Sequence, residues 1–171
     1  MDKITQENNW KGHRMIVTWH DASFVTPRNL VTQASGICFT DDNQVVLVTP
    51  DGKSWSLPGG HPEGNEAVED AFRREVDEEA CATVINLVYL GAQEVNNPEN
   101  QAGLKTYYQT RFWARVQLDE FTQKQETIAR KLVTPPSAIN ESLRWNPTQI
   151  LDAIMKAALE CEQRYRANKK N

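Results

Sequence analysis

The segment Gly60–Ala82, GHPEGNEAVEDAFRREVDEEACA, constrains this chain more than any other. It carries Glu63, Glu66, Glu69, Asp70, Glu75, Asp77, Glu78 and Glu79, with only Arg73 and Arg74 as cations. From Glu66 to Ala80 there is no proline or glycine, and Val68, Ala71, Phe72 and Val76 recur at helical spacing, so this span is expected to be a helix. Gly64-Asn65 before it is expected to supply the turn and cap, and acids near a helix start suit its dipole.

At about 100° per residue, with Val68 at zero, Phe72 falls at about 40°, Val76 at about 80° and Ala71 at about −60°. Glu79 and Glu75 fall at about 20° on either side of Val68, in the middle of the apolar stripe, and Glu78 lies at its edge. Asp70, Arg73 and Asp77 point the opposite way, as a solvated face should. Carboxylates buried alone cost several kcal/mol or take up a proton. Three at i, i+3 and i+4 share one face, and a divalent cation relieves their repulsion most directly. Oxygen-only donors suit Mg²⁺ or Mn²⁺. The competing reading, a solvated acidic face, is disfavoured by the side of the helix on which the acids stand.

The segment resembles the signature of the Nudix (MutT-like) hydrolases: Gly, five residues, Glu, seven residues, then Arg-Glu-aliphatic-any-Glu-Glu-any-Gly-aliphatic. Gly60, Glu66, Arg74, Glu75, Val76, Glu78 and Glu79 stand at the required positions. Cys81 replaces the signature glycine and Ala82 a bulkier aliphatic residue, while Trp55-Ser56-Leu57-Pro58-Gly59-Gly60 is similar to the usual run into it. The resemblance implies an α/β fold, a Nudix-type α/β/α sandwich with a curved mixed β-sheet and the acidic helix against it. It implies Mg²⁺ (or Mn²⁺) held by Gly60 through its carbonyl and by Glu75, Glu78 and Glu79. Glu75, Glu78 and Arg74 form the expected catalytic group, and Glu66 with Arg74 the structural support. The general base is Glu75 within the signature, or a downstream acid among Glu94, Glu120, Glu126 and Glu141. Glu63 and His61 are weaker candidates beside the site, each more ordinary as a solvated loop residue. Glycine at position 81 would let the chain leave the helix with positive φ, so Cys81 implies either a different exit or strain of about 1 kcal/mol.

Length and composition agree with one domain, 1–171, with a strand extension over about 1–33 and a terminal helix over about 148–165. The chain is 39% hydrophobic and 25% charged, as soluble globular proteins are, and its net charge of −4 argues against a general nucleic-acid surface. No apolar run reaches the roughly 20 residues of a membrane helix, and the first residues lack the apolar core of a signal peptide. Cys38, Cys81 and Cys161 match neither a disulfide framework nor a zinc spacing. A cytoplasmic protein follows, with a small nucleotide-type molecule as partner, no nucleic acid, no membrane, and a homodimer left open.

Along the chain, residues 1–13 are expected to be loosely ordered and Met15–Trp19 to be a strand. Ala34–Phe39 and Val45–Thr49 are expected to form a hairpin across Asp41-Asp42-Asn43. Strands follow at Thr83–Leu90 and Thr106–Val116. In the latter, Tyr108, Thr110, Phe112, Ala114 and Val116 share one face, while Tyr107, Gln109, Arg111, Trp113 and Arg115 share the other. That second face either lines a cleft for a phosphorylated ligand or is a wet edge. Trp55, Arg111 and Trp113 are candidate substrate contacts, with Tyr107 and Trp145 as further stacking rings and core packing as the alternative. Glu120–Leu132 reads as a loop or partly helical, Thr134–Ser137 as a break, Thr148–Tyr165 as a helix and Arg164–Lys170 as a frayed tail.

The expected activity is hydrolysis of a phosphoanhydride in a nucleoside diphosphate linked to another group. ADP-ribose, a nucleotide sugar, a dinucleoside polyphosphate or an (oxidised) nucleoside triphosphate would fit. Pro98, sixteen residues past Ala82, has a spacing similar to that of the family's ADP-ribose hydrolases. The alternative is a Nudix-like module that senses a nucleotide without cleaving it.

Overall fold

Strands with apolar residues on both faces must be covered on both. β3 (Val31–Phe39), β4 (Val45–Thr49) and β7 (Thr106–Leu118) have that character, and the chain supplies one helix for each side. The structure is a computed structural model that describes residues 3–10, 12–101, 103–142 and 148–169. The other strands are β1 (Ile4–Trp10), β2 (His13–Asp21), β5 (Gly59–Gly60), β6 (Ala82–Asn96) and β8 (Ala129–Val133). The helices are α1 (Val68–Ala80), α2 (Pro135–Ser142) and α3 (Thr148–Lys169).

The strands form one sheet in the order β1-β2-β6-β7-β3-β4-β8, with β5 pairing β3 beside β4. β3 and β7 run parallel and the other pairs are antiparallel, so the sheet is mixed. Register shifts at Val84/Asn86 and Tyr89/Gly91 in the long β6–β7 ladder bend and twist it. Ala71, Phe72, Val76 and Ala80 of α1 bury against Ala34, Cys38, Val46, Val48, Phe112, Ala114 and Val116. On the opposite face Ile150, Ile154, Met155 and Ala158 of α3 bury against Ile37, Phe39, Val45, Leu90 and Trp113. The result is the expected α/β/α sandwich. No helix among the described residues is long and apolar enough to cross a membrane.

The alternation expected in β7 places Phe112, Ala114 and Val116 under α1 and Trp113 under α3. Arg115 lies on the α3 side and is not a wet edge. It is 3% exposed and pairs with Glu162, which also accepts from Trp113 Nε1 at 3.2 Å and from Arg166.

Several local expectations are corrected. Residues 4–10 form strand β1, because a polar edge strand is held by its ladder with β2 and needs only Ile4 to reach the core. Residues 129–133 form β8 on β4. Thr134–Ser137 is no break: Pro135 and Pro136 open α2, where missing N–H groups cost nothing. α3 runs on to Lys169, since Arg166 reaches the Asp41 carbonyl at 3.0 Å. α1 begins at Val68 with Ala67 as an N-cap that lends no side chain, so Gly64-Asn65 is a turn only. Trp145 and the Glu141 side chain lie outside the described residues.

Candidate active site

A sharp turn brings β5 to the sheet. The Asp51 carboxylate accepts from the backbone N–H groups of Lys53 and Ser54, which holds its pKa well below the usual carboxylate range. Gly59 and Gly60 then pair with Ser35 and Ala34 of β3. Gly59 adopts φ +147°, and a Cβ there would overlap Ser35 and the Ala34 carbonyl. Only glycine fits.

α1 meets this glycine pair with two consecutive acids of its stripe. Glu79 Oε2 accepts from Gly59 N–H at 2.8 Å. A Cβ on Gly60 would lie closer than 3.0 Å to both oxygens of Glu75, so that carboxylate occupies the space the missing side chain leaves. Burial pushes Glu79 up to about 7, and the neighbouring charges of Glu75, Glu126 and Glu78 add to the rise. The positions that the helical wheel put among the apolar residues are therefore the ones buried against the turn.

Arg74 organises the surrounding acids. Its Nε and Nη2 donate to the two oxygens of Glu66 at 3.1 and 3.2 Å. Nη1 donates to Glu75 at 2.9 Å and to Glu78 at 3.1 Å, and Nη2 also reaches the His61 carbonyl at 3.0 Å. Glu66 is held below the usual carboxylate range, chiefly by Arg74 and then by the Glu63 N–H. Arg28, which sequence reasoning missed, donates to the Glu66 carbonyl at 2.9 Å and fastens the other side of the same loop.

Cys81 ends α1 in the left-handed conformation, φ 47° and ψ 56°, so the glycine's geometry is kept without the glycine. Its thiol donates to the Thr122 carbonyl at 3.1 Å. Arg130 donates to the Ala80 and Cys81 carbonyls and to Asp119, capping the helix from a distant strand. These contacts tie residues 119–128 to the helix end and account for the influence of Glu126 on Glu79. Among the described downstream acids, Glu126 raises the Glu79 pKa by its charge. Glu94 is engaged elsewhere, with His20 at 2.9 Å and Tyr108 at 3.2 Å, and Glu120 is exposed.

The ring candidates separate. Trp55 is half-buried near the glycine turn, with Lys131 Nζ 4.1 Å from its ring centroid. Trp113 is 2% exposed and packs on Tyr165, so it belongs to the core and not to a stacking wall. Arg111 is buried on the same face.

Glu75 and Glu79, both seated on the glycine turn, offer hard oxygen donors of the kind that suits Mg²⁺ or Mn²⁺. Among the described residues no three His, Cys, Asp or Glu side chains already share one point. Arg74 holds one oxygen each of Glu75 and Glu78 and leaves the other oxygen of each carboxylate outside that contact.

A carboxylate-bearing helix is thus locked onto a glycine turn within a three-layer sandwich. Residues 30–154, most of the chain, match the NUDIX domain, and the chain belongs to that family, whose members generally use a divalent metal. Three solved structures illustrate the likeness. The Bacillus subtilis pyrophosphohydrolase BsRppH is 24% identical with a TM-score of 0.58, over 75% of this chain and 77% of that one. An ADP-ribose pyrophosphatase from Streptococcus suis is 23% identical with a TM-score of 0.52, over 74% and 90%. A MutT structure from work on Aliivibrio salmonicida and Vibrio cholerae is 18% identical with a TM-score of 0.52, over 71% and 93%. At these identities the likeness concerns the fold. Among curated proteins none matches the chain.

Proposed function

We propose that this protein is a Mg²⁺-dependent hydrolase of a phosphoanhydride bond in a nucleoside diphosphate linked to another moiety. ADP-ribose, a nucleotide sugar, a dinucleoside polyphosphate and an oxidised nucleoside triphosphate are the candidate substrates. The observation that carries this reading is the seating of Glu79 and Glu75 on consecutive residues of the Gly59-Gly60 turn.

In this reading Glu75, Glu79 and the Gly60 carbonyl would hold the cation, with Glu78 joining directly or through water, and the group would supply charge neutralisation and water activation there. Arg74 keeps the loop against the helix and orients Glu75 and Glu78, which gives it a positioning role. Glu75 takes the proton from the attacking water, and Glu126 is the alternative base because its loop is tied to the same helix end. Trp55, which precedes the glycine turn in the chain, is the ring taken to contact the substrate, with Arg111 as a further contact.

The test is product release from a panel of these substrates with and without Mg²⁺, with products identified by mass. Two phosphorylated products formed only with the cation support the reading. Tight nucleotide binding without turnover would replace it with the sensing module.

A further inference from the structure

The loop between Gly60 and α1 carries Glu66, which aims Arg74, yet it has little of its own to hold it. His61, Glu63, Gly64, Asn65 and Ala67 are exposed. Gly64 turns with φ +47°, and Ala67 gives α1 an N-cap without a side-chain hydrogen bond. The first helical bond runs from the Ala71 N–H to the Ala67 carbonyl at 2.9 Å, so the helix leaves the Glu66 carbonyl unused. Arg28 takes that carbonyl from outside the helix. Its Nε donates to it at 2.9 Å, its Nη2 donates to the same oxygen, and Nη2 also reaches the Gly64 carbonyl at 3.4 Å. The Glu66 carboxylate meanwhile accepts from Arg74, which donates in turn to Glu75 and Glu78. Glu66 thus has its backbone on one arginine and its side chain on the other.

Arg28 is exposed, and an exposed guanidinium orders a loop only when it stands on a rigid base. That base is present. Arg28–Leu30 is a single 3-10 turn, in which the Leu30 N–H returns to the Pro27 carbonyl at 3.0 Å, and Pro27 ahead of it fixes φ at −62°. Leu30, Phe24 and Val68, the first residue of α1, all pack on the buried Val31, Ala92 and Tyr108. The Thr26 and Tyr89 hydroxyls are 2.7 Å apart, the Tyr89 hydroxyl reaches the Phe24 carbonyl at 3.1 Å, and Phe24 stacks on His20 with ring centroids 4.2 Å apart. The strap 21–30 is therefore seated on the sheet at several points before the Arg28 side chain leaves it. The Arg28 charge also adds to Arg74 and the Glu63 N–H in keeping Glu66 ionised. Arg28 stands ahead of residues 30–154, so this hold comes from the part of the chain outside the family match.

We propose that Arg28 is a positioning residue of the hydrolase: by fixing the Glu66 backbone it sets the Glu66–Arg74 pair, and through Arg74 the direction of Glu75 and Glu78. This deepens the hydrolase reading and rests on it for the place of the cation. The strap is then part of the working enzyme and not only a cover for the sheet. Without Arg28 the loop and the acids it aims must be ordered when the cation binds, so the loss falls on metal affinity.

The experiment measures Mn²⁺ affinity of the full chain without substrate, from the paramagnetic resonance signal of the free ion, for wild type, Arg28→Lys and Arg28→Met. Arg28→Met should weaken Mn²⁺ binding about 10-fold. It should raise the Mg²⁺ concentration for half-maximal turnover by a similar factor, with kcat at saturating Mg²⁺ changing less. Arg28→Lys, which keeps the charge but not the fork, should fall between. In Glu66→Ala the Arg28→Met substitution should change Mn²⁺ affinity by less than about 2-fold, since Arg28 then has no carboxylate to place. A merely structural role would lower kcat without moving the metal requirement. Unchanged Mn²⁺ affinity in the folded variants, an undiminished Arg28→Met effect in Glu66→Ala, or no Mn²⁺ binding by wild type would overturn the proposal. Thermal melting checks each variant's fold, and Arg28→Lys decides the matter if Arg28→Met does not fold. Turnover with a Mn²⁺ affinity independent of Arg28 sinks this proposal alone. Arg28-dependent Mn²⁺ binding without turnover of any substrate in the panel sinks the hydrolase reading alone.

Discussion

Glu162→Ala should be among the most destabilising single substitutions in this chain, and it should leave the chemistry intact. The Glu162 side chain is 4% exposed and that of Arg115 is 3% exposed. The carboxylate accepts from Arg115, from Arg166 and from Trp113 Nε1. Without it Arg115 keeps the Thr40 carbonyl and an exposed Asp41 carboxylate 3.8 Å away, and its Nε already lacks a hydrogen-bond partner. Breaking a buried pair by removing one partner costs about 3–5 kcal/mol, because the other charge is stranded. For a chain of this length 1 kcal/mol moves the melting temperature by roughly 2–4 °C, so the expected loss is roughly 6–20 °C. Urea unfolding should show the same loss at an unchanged m-value. Replacing both members, Arg115→Met with Glu162→Leu, should recover most of it, since an apolar pair strands no charge. Turnover at room temperature should stay near normal, because the network fastens α3 on the face opposite α1. A drop below about 2 °C for Glu162→Ala would refute the claim that Arg115 depends on this carboxylate.

Four further outcomes concern the site. Glu79→Gln should reduce Mg²⁺-dependent turnover by orders of magnitude with the fold intact by circular dichroism, and near-normal rates would remove Glu79 from the mechanism. In EDTA, Glu79 has a folded-state pKa of about 7 against an ordinary 4.5, so the folded chain holds this proton more tightly than the unfolded one. That contribution to stability is complete below the ordinary carboxylate value and is lost as the pH rises to about 7, at most about 3 kcal/mol. Urea titrations of wild type should show the decline and Glu79→Gln should not. Gly60→Ala should sharply reduce turnover by driving a methyl into the Glu75 carboxylate, and retained activity with an unchanged Mg²⁺ requirement would contradict the claim that Glu75 must occupy the space beside Gly60. Cys81→Ala should be less stable than Cys81→Gly by about 1 kcal/mol, because both lose the Thr122 contact but only alanine keeps the left-handed strain. Equal melting temperatures would show that no strain resides at this position.

What could be read from the residues depended on how far apart the interacting groups stand in the chain. Glu75 and Glu79 were legible because a helix has a fixed period, and an acid in an apolar stripe violates it visibly. The two faces of β7 were legible for the same reason, with period two. β1 and β8 were not, since a sheet's edge strands are held by a neighbour's backbone and their side chains need carry no pattern. α2 was hidden by prolines that read as a break and act as an opening turn. The two arginines on one strand face show the limit most clearly. Alternation placed Arg111 and Arg115 together and left their environment open, cleft or wet edge. Glu162 resolves Arg115, and it stands 47 residues away on a helix whose own stripe gives no sign of an ion pair. For Arg111 the fold supplies no such acid among the described residues. A buried charge is thus interpretable only after its counter-charge has been sought across the fold, because the acid that neutralises it can stand on any element the topology brings alongside.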